Sequence, residues 1–149
     1  MPLGDPTGGD DEYREKGKIT RVWISAVPVS NLDSALEFYN EILGLPVQLN
    51  SKENNWIEIG PPEPHCKIAL YVPSVHDKRQ PGGGTGIVLD TDSIYELHRR
   101  LVDGGVKFKL KPQRQQWGGL MAIFLDPDGN EFRVVEDPEH YTRTNPTPR

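Results

Sequence analysis

A small set of side chains in this 149-residue sequence can do chemistry, and their types differ. Arg133 carries a permanent charge on a planar fork, suited to gripping a carboxylate, phosphate or enolate oxygen through two parallel hydrogen bonds. It also reads as an outward surface arginine paired with Glu131 or Glu136. Strand alternation puts Phe132 and Val134 on one face and Arg133 and Val135 on the other, and the sequence allows either face to be the inner one. Glu58 stands between Ile57 and Ile59 and so faces away from both. Facing a cavity it would be a general base; the sequence favours the simpler reading, a solvated strand carboxylate. Trp56, Tyr71, Trp117 and Met121 offer large apolar surfaces for the wall of a site that takes aromatic or mixed ligands. Packing in a core, or between copies, accounts for the tryptophans equally well. His65 and Cys66 are neighbours, so an extended chain points them to opposite faces, which weakens them as a ligand pair even with Glu58 in reach. His76, His98 and His140 read as surface residues. No Gly-x-Ser-x-Gly nucleophile motif occurs.

The elements that must position these residues are written twice. Residues 20–29 read as a strand and 32–43 as a helix stopped by Gly44 and kept from resuming by Pro46. Ser30 is the expected cap of that helix, with Asp33 three residues on. Residues 86–90 again read as a strand and 94–102 as a helix, with Ser93 and Glu96 as a capping box and Gly104 and Gly105 as the stop. Short strands follow each helix, at 47–49, 56–59 and 67–72, then at 106–110, 121–125 and 131–135. Asp126-Pro127-Asp128-Gly129-Asn130 is a strong turn signal between the last two, with proline fixing φ and glycine accepting φ > 0. A strand-helix-strand-strand-strand unit occurring twice predicts a duplicated α+β module. Two such βαβββ modules can form a cup-shaped mixed sheet with flanking helices, and a cup is where a small molecule is bound.

The expected organisation is one domain over 18–137, with modules at about 18–74 and 85–137 and a linker at 75–84. Flexible tails are expected at 1–17 and 138–149 from their polar, Pro-rich composition. Gly82-Gly83-Gly84 lacks the Lys-Ser/Thr of a phosphate loop and reads as linker. The net charge of −5 argues against a nucleic-acid backbone as partner. Lys107, Lys109, Lys111 and Arg114 alternate with apolar residues like the wet side of an edge strand, where lysines discourage strand-to-strand aggregation. The single cysteine permits no internal disulfide and suits a reducing compartment. No apolar run approaches the ~20 residues of a membrane helix, and the acidic N-terminus lacks a signal-peptide core. A cytoplasmic protein with no membrane partner is the expectation.

Three stretches carry a family resemblance: Val29-Ser30-Asn31-Leu32-Asp33-Ser34-Ala35-Leu36-Glu37-Phe38-Tyr39, then Leu43-Gly44-Leu45, and Phe124-Leu125-Asp126-Pro127-Asp128-Gly129-Asn130. In this order and spacing, across residues 18–137, the chain resembles the vicinal oxygen chelate superfamily of glyoxalase I, bleomycin-resistance proteins and extradiol dioxygenases. The resemblance implies the paired-module fold and a homodimer, and says little about reaction, because one fold hosts many functions. Metalloenzymes of that family carry His or Glu at four inward strand positions. Those positions fall here on Ile24, Ala69, Gly86 and Arg133. Three have no donor atom and the fourth is a fixed cation. The resemblance therefore implies no cofactor and a cup without the usual metal ligands, with these four positions becoming part of a ligand-binding wall. The alternative is a lyase, isomerase or dioxygenase using metal-free acid–base chemistry, or Ni, Zn, Mn or Fe held by off-pattern ligands such as Glu58 and His65.

Overall fold

Local chemistry explains most of the elements in the computed structural model, which describes residues 16–62 and 65–137. The first strand, β1, is Ile24–Pro28, and Asn31 then starts helix α1, Leu32–Leu36. Asn31, not Ser30, is the cap: its Oδ1 accepts from the Ser34 backbone N–H at 2.9 Å. Ser30 instead gives its own N–H to the Asp128 carboxylate in the second module, so the residue before the cap is used to join modules. The helix widens to a π-helical turn over Glu37–Ile42, where the Leu43 N–H reaches back five residues to the Phe38 carbonyl. Gly44, at φ +80°, ends it as expected.

Strands β2 (Val47–Ser51), β3 (Trp56–Ile59) and β4 (Lys67–Tyr71) complete a four-stranded sheet in the order β1-β4-β3-β2. A 3₁₀ turn at Lys52–Asn54 separates β2 from β3. The second module repeats the plan with β5 (Gly83–Asp90), α2 (Ile94–Asp103), β6 (Lys107–Arg114), β7 (Leu120–Leu125) and β8 (Asn130–Glu136), ordered β5-β8-β7-β6. In each sheet the strand before the helix pairs in parallel with the last strand and the remaining pairs are antiparallel. The expected α+β fold of two βαβββ modules is the one observed.

Several boundaries differ for physical reasons. β1 begins at Ile24 rather than residue 20. β5 reaches back to Gly83, whose partner is Asn130, so two residues of the glycine run are paired backbone. Ser93 makes no side-chain cap; the Ile94 N–H is held at 2.7 Å by Glu136 from the end of β8. A carboxylate brought from elsewhere in the chain has displaced the local capping box. His98 is not a surface residue: its ring packs edge-on against Phe108 at 4.6 Å, and its Nε2 is buried without a hydrogen-bond partner. The expected tails at 1–17 and 138–149 fall almost wholly outside the described residues.

One core serves both modules. Val27, Val29, Tyr39, Ile57, Ile59, Ile68 and Leu70 from the first join Ile94, Leu101, Leu120, Ala122, Phe124, Phe132 and Val134 from the second. Tyr39 lies at its centre, fully buried and edge-on to Phe132 at 5.8 Å. Its hydroxyl donates to Asp126 Oδ2 at 2.6 Å, and Asn130 Nδ2 donates to both Asp126 and the Pro28 carbonyl. The Asp-Pro-Asp-Gly-Asn turn thus does more than reverse the chain: it fastens the second module to β1 and α1 of the first. No helix among the described residues is long and apolar enough to cross a membrane.

Candidate ligand-binding site

The core consumes one face of each sheet. Alternation then dictates what stands on the other face. On β3, Ile57 and Ile59 enter the core, so Trp56 and Glu58 lie opposite. On β4, Ile68 and Leu70 enter the core, leaving Lys67, Ala69 and Tyr71 on that same outer face. Glu58 pairs in register with Ala69, and Ile24 with Lys67. On β8, Phe132 and Val134 are core, leaving Glu131, Arg133 and Val135 outside; on β7, Leu120, Ala122 and Phe124 are core, leaving Met121, Ile123 and Leu125. The candidates from the sequence therefore form two groups. Ile24, Trp56, Glu58, Ala69 and Tyr71 belong to the first sheet, and Arg133 and Met121 to the second, with Trp117 at the tip of the β6–β7 hairpin.

Glu58 corrects the expectation of a solvated carboxylate. It is 5 % exposed. Trp56 Nε1 donates to its Oε2 at 3.0 Å, and Lys67 Nζ lies 3.5 Å from its Oε1. Buried carboxylates persist where donors and a counter-charge offset desolvation, and here one indole and one ammonium supply both. Lys67 was missed by the sequence reading. Its signal was the alternation of Lys67, Ala69 and Tyr71, which puts the lysine on the Glu58 face.

Arg133 stands in β8, an inner strand of its sheet, on the outer face and exposed. Its register neighbours are Val88 on β5 and Ile123 on β7, both apolar. The acids that the surface reading would pair with it are engaged elsewhere: Glu131 with Lys109 Nζ at 2.9 Å, and Glu136 with the Ile94 N–H. Among the described residues Arg133 makes no ion pair. An arginine in this setting keeps all five donors available on an apolar background, which is the arrangement that captures a planar anion.

Gly86 sits at φ +75° in an irregular stretch of β5 where the register shifts between Gly84 and Val88. Ile24, Ala69 and Gly86 carry no donor atom, and no three His, Cys, Asp or Glu side chains among the described residues converge on a point where one metal would be shared. His65 and Cys66 are both exposed, and the Cys66 thiol donates to the Val22 carbonyl. A cavity of about 540 Å³ opens between the modules, walled by Leu43, Leu45, Ile68, Leu97, Leu101 and Phe124. Lys67 and Val88 also border it, but neither Arg133 nor Glu58 lines it. Polar side chains placed to fix a ligand matter more than volume in choosing a site, and Arg133 and Glu58 stand on the outer faces, away from this cavity.

This fold, two βαβββ modules around one core, defines a glyoxalase-like domain. A model of the glyoxalase/bleomycin resistance protein/dioxygenase superfamily matches residues 21–134, and the chain belongs to that family. A crystal structure of a superfamily member from Sphaerobacter thermophilus is similar at TM-score 0.73 and 37 % identity, covering 80 % of this chain and 98 % of that one. TnmS3, an antibiotic-binding protein from Streptomyces sp. CB03234, is similar at TM-score 0.71 and 28 % identity, covering 80 % and 97 %. A Shewanella frigidimarina protein of unassigned function is 29 % identical over 121 residues, 74 % of this chain and 89 % of its own length.

Proposed function

We propose that this protein binds a small organic anion in a metal-independent cup walled by the outer faces of its sheets. The observation that carries the reading is Arg133, exposed among apolar strand neighbours with both nearby glutamates occupied. Trp56, Tyr71, Met121 and Trp117 provide the apolar body of the wall, and Glu58, held by Trp56 and Lys67, provides an acceptor for a ligand hydroxyl or amine. The relation to an antibiotic-binding protein supports sequestration of a small molecule as the task. The absence of a metal centre rests on the donor chemistry of Ile24, Ala69, Gly86 and Arg133. A homodimer in a cytoplasmic setting completes the proposal. Its support is the apolar surface left on the outer faces, Leu49 and Val88 being 46 % and 57 % exposed.

Titration with benzoate, followed by calorimetry, tests the reading. Arg133→Ala should weaken binding roughly 10- to 100-fold, the value of hydrogen bonds to a charged group. Equal affinity in the variant refutes the anion site, and one equivalent of Ni, Zn, Mn or Fe retained after desalting refutes the metal-free cup. The burial of Glu58 favours one second reading, a lyase or isomerase using Glu58 as metal-free general base. Turnover abolished by Glu58→Gln with binding retained would establish it over sequestration.

A further inference from the structure

Trp117 is half-exposed at the tip of the β6–β7 hairpin, yet its position is tightly specified. A Cβ added to Gly119 would meet the Trp117 ring at 1.7 Å (Cζ3), 2.2 Å (Cη2) and 2.7 Å (Cε3). The indole therefore lies in the space that any side chain at 119 would fill, and it buries Gly119 although that residue ends a hairpin loop. The loop is braced around it: Gln115 N–H donates to the Gly119 carbonyl at 2.8 Å, and Arg114 Nη1 to the Gly118 carbonyl at 2.6 Å. Continuing the alternation of β7 back one residue puts position 119 on the side of Met121 and Ile123, opposite core Leu120. Ile123 is the register neighbour of Arg133. Four residues of strand separate Gly119 from Ile123, about 13 Å at ~3.3 Å per residue.

Building on the anion-binding reading above, we infer that Gly119 is a positioning residue. It lays the Trp117 indole on the outer face of the second sheet, so that face selects planar polycyclic aromatic anions, stacked on Trp117 and gripped at their far end by Arg133. Met121 lies between the two, a polarizable floor suited to an aromatic body. A one-ring anion reaches Arg133 but not the indole; a linear three-ring anion spans both.

The test compares benzoate with anthracene-2-carboxylate on the full-length protein. The wild type binds the three-ring anion at least fivefold more tightly, as expected for an aromatic contact. Gly119→Ala has no backbone conformation to violate, because Gly119 is not in the left-handed region. It displaces the indole, removes that preference and leaves benzoate affinity within twofold. Trp117→Ala also removes the preference for the three-ring anion and Trp117→Phe retains part of it, which keeps the test informative if the Gly119 variant folds poorly. In the unliganded protein, Gly119→Ala also makes tryptophan emission more accessible to acrylamide. An unchanged preference in Gly119→Ala and Trp117→Ala, with Arg133→Ala still weakening both anions, overturns the role of Gly119 alone. No binding of either anion by the wild type overturns both readings. Loss of dimer in Trp117→Ala with anion binding intact assigns the indole to contact between copies and also overturns the inference.

Discussion

Removing one oxygen atom, in Tyr39→Phe, should measurably loosen the joint between the two modules. The Tyr39 hydroxyl is buried and donates to Asp126 Oδ2 at 2.6 Å, and Asp126 is itself 4 % exposed. Hydrogen bonds to charged groups contribute about 1.5–3 kcal/mol. Asp126 would keep three donors, the backbone N–H groups of Asp128 and Asn130 and the Asn130 amide, so it would not become an orphaned charge. The expected loss is therefore about 2 kcal/mol, or about 4–8 °C in Tm for a domain of this size. An alkaline arm isolates the cause. Burial first, then the adjacent Asp126 charge, pushes the Tyr39 phenol far above the usual tyrosine range. The folded state thus holds this proton while the unfolded state releases it near pH 10. The resulting contribution is complete below about pH 10 and is lost above it, at about 1.4 kcal/mol per pH unit. Urea titrations from pH 8 to 11 should show that extra alkaline loss in the wild type and not in Tyr39→Phe. A variant within about 0.5 kcal/mol of wild type at pH 8, or equally sensitive to alkali, refutes the account.

Other outcomes follow from the same geometry. Asn31→Ala should cost about 1 kcal/mol through loss of the α1 cap, whereas Ser30→Ala, which contributes only its backbone N–H, should stay within about 0.5 kcal/mol by the same denaturant assay. Glu58→Gln removes the charge facing Lys67 and should lower stability by about 1–3 kcal/mol while shifting Trp56 emission, since the indole N–H loses its charged acceptor. An unchanged spectrum would place the Trp56–Glu58 contact outside the folded state in solution.

Much of the fold was legible in the chain because it is written locally. The helix stop at Gly44, the turn at Asp126–Asn130 and the alternation of Ile57 and Ile59 around Glu58 are short-range signals whose physical cause lies within a few residues. The same alternation placed Trp56 with Glu58 and Arg133 with Val135, and the repeated grammar was enough to expect two modules. The family's motifs were readable for the same reason: they are caps and turns.

What the chain left open depended on residues distant in sequence. Whether Arg133 was paired turned on Lys109 engaging Glu131 and on Glu136 capping α2, contacts that cross between strands and helix. Whether Glu58 was solvated turned on Lys67 arriving from the next strand. Tertiary packing also decided the start of α2, where Glu136 displaced Ser93, and gave the Ser30 N–H to Asp128, whereas the Asn31 cap of α1 is local. By itself the sequence determined the order of elements, their turns and which residues share a face, since backbone sterics and period-two alternation act locally. Only the tertiary structure decided which of those faces is buried, which charges meet, and that the ring of Trp117 lies over Gly119, because burial and side-chain contact are properties of the assembled sheets.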